Sequence, residues 1–135
     1  MTENEAEMRA TTQRLQISAE SRDAGASAVA LIRVEGEVDL ANAEELGSAL
    51  RTRAAEEGSA VVLDLRGVPF MDSTGLKVVL IASRDLEGPL AVIAGAGSAV
   101  ARLLDLAGVA DRVPRFETEE DALGALGSAG DERPA

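Results

Sequence analysis

The sequence predicts an α/β domain built on a mainly parallel sheet, and three observations carry that reading. Strand-like and helix-like segments alternate from residue 28 to about residue 126, with helical stretches of about 10–15 residues between the strands. Two of the strand-like runs, "AVVLDL" (60–65) and "LAVI" (90–93), are apolar on nearly every position, as in strands covered on both faces. The chain has 135 residues, enough for one compact domain and too few for two ordinary ones.

The elements follow in order. Residues 1–11 are polar and are expected to form a flexible N-terminal segment, with the domain spanning 12–126 and a disordered tail at 127–135. In "LQISAE" (15–20), Leu15, Ile17 and Ala19 share one face, a period of two that predicts an exposed strand. "ESRDAGAS" (20–27) reads as a turn. In "AVALIRVEGEV" (28–38), Ala28, Ala30, Ile32, Val34 and Val38 face one way and Arg33, Glu35 and Glu37 the other, which predicts the antiparallel partner of the first strand. Asn42 with Glu45 three positions on has the pattern of a capping box. Leu46, Ala49, Leu50, Arg53 and Ala54 then recur at spacings of three and four, giving an amphipathic helix over 43–57 stopped by Gly58.

After the strand at 60–65, Leu76, Val79, Leu80, Ser83 and Leu86 mark a helix over about 73–86, broken by Gly88-Pro89 before the strand 90–93. Val100, Leu103, Leu104 and Ala107 mark a third helix closed by Gly108. A weak strand runs through Val113 to Phe116, and Thr118 caps a short last helix carrying Ala122, Leu123 and Leu126. Short loops between these units require right-handed crossovers, and binding groups in such sheets gather beyond the carboxyl ends of the strands.

"GVPFMDSTGLK" (67–77) lies at such an end. Asp72 or Ser73 is placed to accept free amides of the helix's first turn, and Gly75 lets backbone approach closely. The same geometry presents a hydroxyl for modification: a phosphate there adds roughly -1.5 to -2 charges and three strong acceptors to a surface that a partner must desolvate. Asp39, in "GEVDL" (36–40), follows the preceding strand and approaches the same end, within reach of hydrogen-bonding Ser73 or presenting it to a visiting kinase. Phe70, directly after the strand and Pro69, is expected in the core; Met71 is left open between core and surface.

Composition limits the chemistry. With no cysteine and no histidine, thiol catalysis, imidazole bases and the usual zinc ligands are missing. Acidic residues number 24 against 13 basic, a net charge of -11, so nucleic acid and anionic membrane faces are disfavoured partners. Aromatic residues are two Phe only, too few for base stacking. "MTENEAEMRATTQR" lacks the basic region and apolar run of a signal peptide, and a cytoplasmic location is expected. A carboxylate enzyme that uses Asp39, Asp64 and Asp72 to hold magnesium is the catalytic alternative, though Asp64 sits inside an apolar strand. The glycines of "AGAGS" (94–98) lack the longer loop and Lys-Ser/Thr ending of a nucleotide cradle; no cofactor is expected.

"VEGEVDLANAEEL" (34–46) and "VVLDLRGVPFMDSTGLKVVL" (61–80), at this separation, resemble the STAS-domain family of bacterial anti-sigma-factor antagonists, and "GSAVARLLDLAGVADRV" (97–113) resembles the family's last long helix and its turn. The resemblance covers most of residues 12–126. It implies a single STAS-like domain, a mixed four- to five-stranded sheet with flanking helices, and a regulatory rather than enzymatic role. The implied partner is a serine-kinase anti-sigma factor, bound by the unmodified protein and released once the kinase phosphorylates the serine after the aspartate; a phosphatase reverses the switch. Carried onto this chain, that serine is Ser73, with Asp39, Asp72, Thr74 and Gly75 around it. Lys77, the chain's one lysine, stands where the family usually has glycine, four residues beyond Ser73 on the same helix face. A monomer or weak dimer without direct membrane contact is expected. The alternative is a STAS scaffold subunit of a stress-signalling assembly or a membrane-transport complex.

Overall fold

The computed structural model describes residues 15–25, 27–57 and 60–131. Five strands, β1 (Gln16–Ala24), β2 (Ser27–Glu35), β3 (Ala60–Gly67), β4 (Leu90–Ile93) and β5 (Arg115–Phe116), form one mixed sheet in sequential order. β1 runs antiparallel to β2 and every later pair is parallel. The described residues contain four helices, α1 (Ala43–Glu57), α2 (Ser73–Asp85), α3 (Ala99–Ala107) and α4 (Glu119–Asp131). The fold class is therefore the one expected, a single α/β domain with a mixed sheet.

The sequential order explains where the helices lie. Each parallel step moves the same way along the sheet, so crossovers of one hand place α1, α2 and α3 on one face. Leu46 and Leu50 of α1, Leu76 and Val79 of α2, and Val100 and Leu104 of α3 share a buried cluster there with Ile32, Leu63 and Val92 of the strands. The opposite face is left to α4, whose Ala122 and Leu126 cover Val29, Leu31, Val62, Ala91 and Ile93.

Three expectations change. β1 continues to Ala24, and the segment 20–27 is mostly strand: Ala24 pairs with Ser27 across a turn at Gly25. β2 is not apolar on one face only. Val29 and Leu31 are fully buried because α4 closes the second face, so the run reads as a covered central strand through residue 32. α4 extends to Asp131, so residues 127–131 belong to a helix and not to the tail; the segment 1–11 and residues 132–135 lie outside the described residues. The Thr118 cap is present, its Oγ1 accepting the Asp121 N–H at 3.1 Å. Asn42 bonds backward into the preceding loop: its Oδ1 accepts the Asp39 N–H at 2.9 Å and its amide donates to the Glu37 carbonyl at 2.8 Å.

A charge network fastens α4 to the sheet. Glu119, at the start of α4, meets Arg22 of β1 at 3.1 Å and Arg33 of β2 at 3.2 Å, and both arginines also hold Glu20 at 2.7 Å. Asp64 of β3, only 5% exposed, receives the Arg66 side chain at 2.8 and 2.9 Å and the Arg66 N–H at 3.0 Å, with Arg33 at 3.7 Å. Burial pushes the Asp64 carboxyl up, but the side-chain and backbone bonds from Arg66 and the charges of Arg66 and Arg33 outweigh it and hold the group below its ordinary value of 3.8. Its contribution to stability is thus complete above the ordinary carboxylate range and is lost as pH falls through the lowered native value. Asp64→Asn is expected to cost about 1–3 kcal/mol at neutral pH by leaving the Arg66 bonds unmatched. Thermal melts should show a deficit that narrows below about pH 4, whereas a constant deficit across that range would contradict this role.

Candidate functional site

The loops after β2 and β3 are built as a pair. β2 ends where Gly36, at φ +115°, turns the chain, a conformation that disfavours any side chain. The Gly36 N–H donates to the Gly67 carbonyl at 3.1 Å. Beyond it, Val38 and Met71 form a parallel bridge: the Val38 N–H donates to the Phe70 carbonyl at 2.9 Å and the Asp72 N–H to the Val38 carbonyl at 3.1 Å. This lateral tie sets the loop carrying Asp39 beside the loop carrying Asp72 and Ser73, at the carboxyl ends of the two central strands.

The bridge also decides which side chains turn inward. Val38 and Met71 are buried at 0% and 3% exposure, and Gly75 of α2 packs directly on them. A β-carbon at position 75 would stand 2.6 Å from Met71 Cγ and 2.7 Å from Val38 Cγ1, so only glycine lets α2 start this close to the loops. With Met71 turned in, its neighbour Phe70 turns out. It is 48% exposed, and its expected place in the core is corrected accordingly.

Asp72 is the N-cap of α2, its Oδ1 accepting the Thr74 N–H at 2.9 Å and the Gly75 N–H at 3.1 Å, which satisfies two of the amides a helix start leaves open. Ser73, the first helical residue, is exposed, and its hydroxyl has no hydrogen-bond partner among the described residues. Thr74 is half-buried behind it and Lys77 is exposed one turn on. The Asp39 carboxylate is used locally, accepting the Ala41 N–H at 2.9 Å; the hydrogen bond to Ser73 that the sequence left open is not made. Its neighbour Leu40 is 78% exposed. The site is therefore an exposed surface, with two exposed apolar side chains, Leu40 and Phe70, on the loops that carry Asp39, Asp72 and Ser73.

Sequence reasoning missed Leu40. The available signal was a large apolar residue between a strand and Asn42, off the stripe that α1 turns to the core. Nor do the magnesium ligands of the catalytic alternative assemble. Asp64 belongs to the network with Arg66, Arg33 and Glu119, while Asp72 caps α2. No group of three or more His, Cys, Asp or Glu side chains among the described residues is arranged to hold a metal ion. Two surface grooves, of about 370 and 450 Å³, follow the seam between α1 and α2 and share Arg51; Ser73 lines neither. Among the described residues no helix is long and apolar enough to cross a membrane.

Comparison with known proteins agrees with this geometry. The STAS domain family model matches residues 22–122. The anti-sigma-F factor antagonist RsfB of Mycobacterium tuberculosis is 32% identical over 96 residues, covering 70% of this chain and 79% of the relative. The crystal structure of an anti-sigma factor antagonist from Mycobacterium paratuberculosis superposes with a TM-score of 0.74 at 31% identity, covering 84% of this chain and 95% of that one. The anti-sigma factor antagonist SpoIIAA in its unphosphorylated form shares the fold at a TM-score of 0.63 and 21% identity, covering 82% and 96% of the two chains. From the sheet order, the paired loops and these matches together, the chain belongs to the STAS-domain family of anti-sigma-factor antagonists.

Proposed function

We propose that this protein is an anti-sigma-factor antagonist that docks a serine-kinase anti-sigma factor over the paired loops at 36–42 and 67–77 and is switched off by phosphorylation of Ser73. The observation that carries the reading is the exposed Ser73 hydroxyl, free of any hydrogen bond among the described residues, beside exposed Leu40 and Phe70. Apolar side chains in that setting supply area for a partner to cover, and interfaces are enriched in such aromatic anchors. Asp39, Asp72, Thr74 and Gly75 hold the loops in shape, and Lys77 borders them.

The chain acts as a binding module and as the kinase's substrate, with no catalysis of its own. The kinase transfers the γ-phosphoryl group of ATP to Ser73 Oγ, the hydroxyl proton passes to the kinase's base, and ADP leaves. A phosphatase restores the hydroxyl by hydrolysis. The net charge of -11 favours a partner with a basic face. A partner that draws on ATP fits the cytoplasmic location expected from the sequence.

Incubation with its cognate anti-sigma kinase and ATP is expected to add one phosphate, mapped to Ser73 by mass spectrometry, and Ser73→Ala should abolish the addition. Phosphate on another residue, or none, would remove the switch from this account.

A further inference from the structure

Lys77 is the one lysine of a chain with 24 carboxylates, yet it pairs with none of them among the described residues. Arg22, Arg33, Arg53, Arg66 and Arg84 each hold a carboxylate, as an acidic surface makes easy. The reason Lys77 does not is local. Side chains on a helix meet their neighbours three and four positions away. For Lys77 these are Thr74 and Ser73 on one side and Leu80 and Ile81 on the other, so no acid is within helical reach. The Asp72 carboxylate lies one position further and is committed to the cap.

Only a hydroxyl made anionic could give this ammonium a partner on its own helix, and of the two in reach Ser73 is the exposed one, Thr74 being half-buried. The pair also has the better order, with the anion N-terminal to the cation at a spacing of four. We propose that Lys77 is the in-chain counter-ion of a phosphoryl group on Ser73: its ammonium folds back one turn and pairs with the phosphate oxygens, so that the modified loop shows a partner about one charge less than the phosphate alone carries. Lys77 thereby sets how sharply modification separates the docking and non-docking forms. This rests on the phosphorylation reading above for its biological use; the pairing itself does not require the kinase.

The test uses the full chain with phosphoserine installed at position 73 by genetic encoding, in the native, Lys77→Arg and Lys77→Met forms. Phosphorus NMR follows the second ionisation of the phosphate, which in a free phosphoserine lies at about 6. Asp39 and Asp72 on the paired loops, and Glu44 and Arg51 on the side of α1 that faces α2, are the same in all three forms, so a difference in midpoint reports on position 77. The midpoint is expected about 0.3 pH unit lower in the native and Lys77→Arg forms than in the Lys77→Met form, and the difference should collapse in about 1 M salt. Equal midpoints in the native and Lys77→Met forms would overturn the proposal. A kinase that ignores Ser73 would defeat the switch reading instead and leave this result unchanged, so the two failures are distinguishable.

Discussion

Phosphoserine at position 73 is expected to weaken the hold of the anti-sigma partner about 100-fold, a loss of about 3 kcal/mol in a calorimetric titration. The size follows from where the charge lands. A partner covering Leu40 and Phe70 must also cover Ser73 between loops that already carry Asp39 and Asp72. The unmodified hydroxyl costs little to desolvate, whereas a phosphate brings roughly -1.5 to -2 charges into a covered surface beside a carboxylate fixed in place by its cap. Ser73→Ala should bind like the native chain, because the hydroxyl makes no bond in the fold whose loss would disturb it. Ser73→Asp should fall between the two, having one charge and a shorter reach. Unchanged affinity of the phosphoserine form would contradict the account.

Gly75→Val is expected to destabilise the domain by about 3 kcal/mol, the upper range for forcing atoms into a packed core. Its β-carbon alone would meet Met71 Cγ at 2.6 Å and Val38 Cγ1 at 2.7 Å. Met71 is flexible, but Val38 is stiff, fully buried and tied by two backbone bonds to the neighbouring loop, so it has nowhere to go. The clash therefore acts on the joint between the two loops. Val38→Ala should recover part of the loss when combined with Gly75→Val, giving a non-additive double-mutant cycle in denaturant melts. Simple additivity of the two changes would show that the strain lies elsewhere.

Much of this architecture was legible in the sequence because periodicity reports burial directly. The covered strand at 60–65 follows from local pattern, and capping chemistry narrows the start of α2 to Asp72 or Ser73; the fold selects Asp72 and leaves Ser73 exposed. What was not legible depends on contacts between distant segments. Val29 and Leu31 could be read as fully buried only once α4, at the far end of the chain, was known to cross that face. Phe70 lies outside the core, and Met71, left open by the sequence, lies inside it, for a similar reason: a single bridge between Val38 and Met71 selects which of two adjacent apolar residues points inward, and nothing within residues 67–77 encodes the partner of that bridge. Asp64 looked anomalous in an apolar run until Arg66, two positions along the same strand, was seen to satisfy it.

The claim on which the rest depends is that the partner sits on the paired loops and not on the α4 face or the edge strand. Amide chemical shifts of the isotope-labelled chain, followed during titration with the anti-sigma partner, test it most directly. Perturbations centred on residues 38–41 and 70–77, with α4 (Glu119–Asp131) quiet, are the expected result. Changes centred on α4 or β1, with the amides around Ser73 unmoved at saturation, would contradict it.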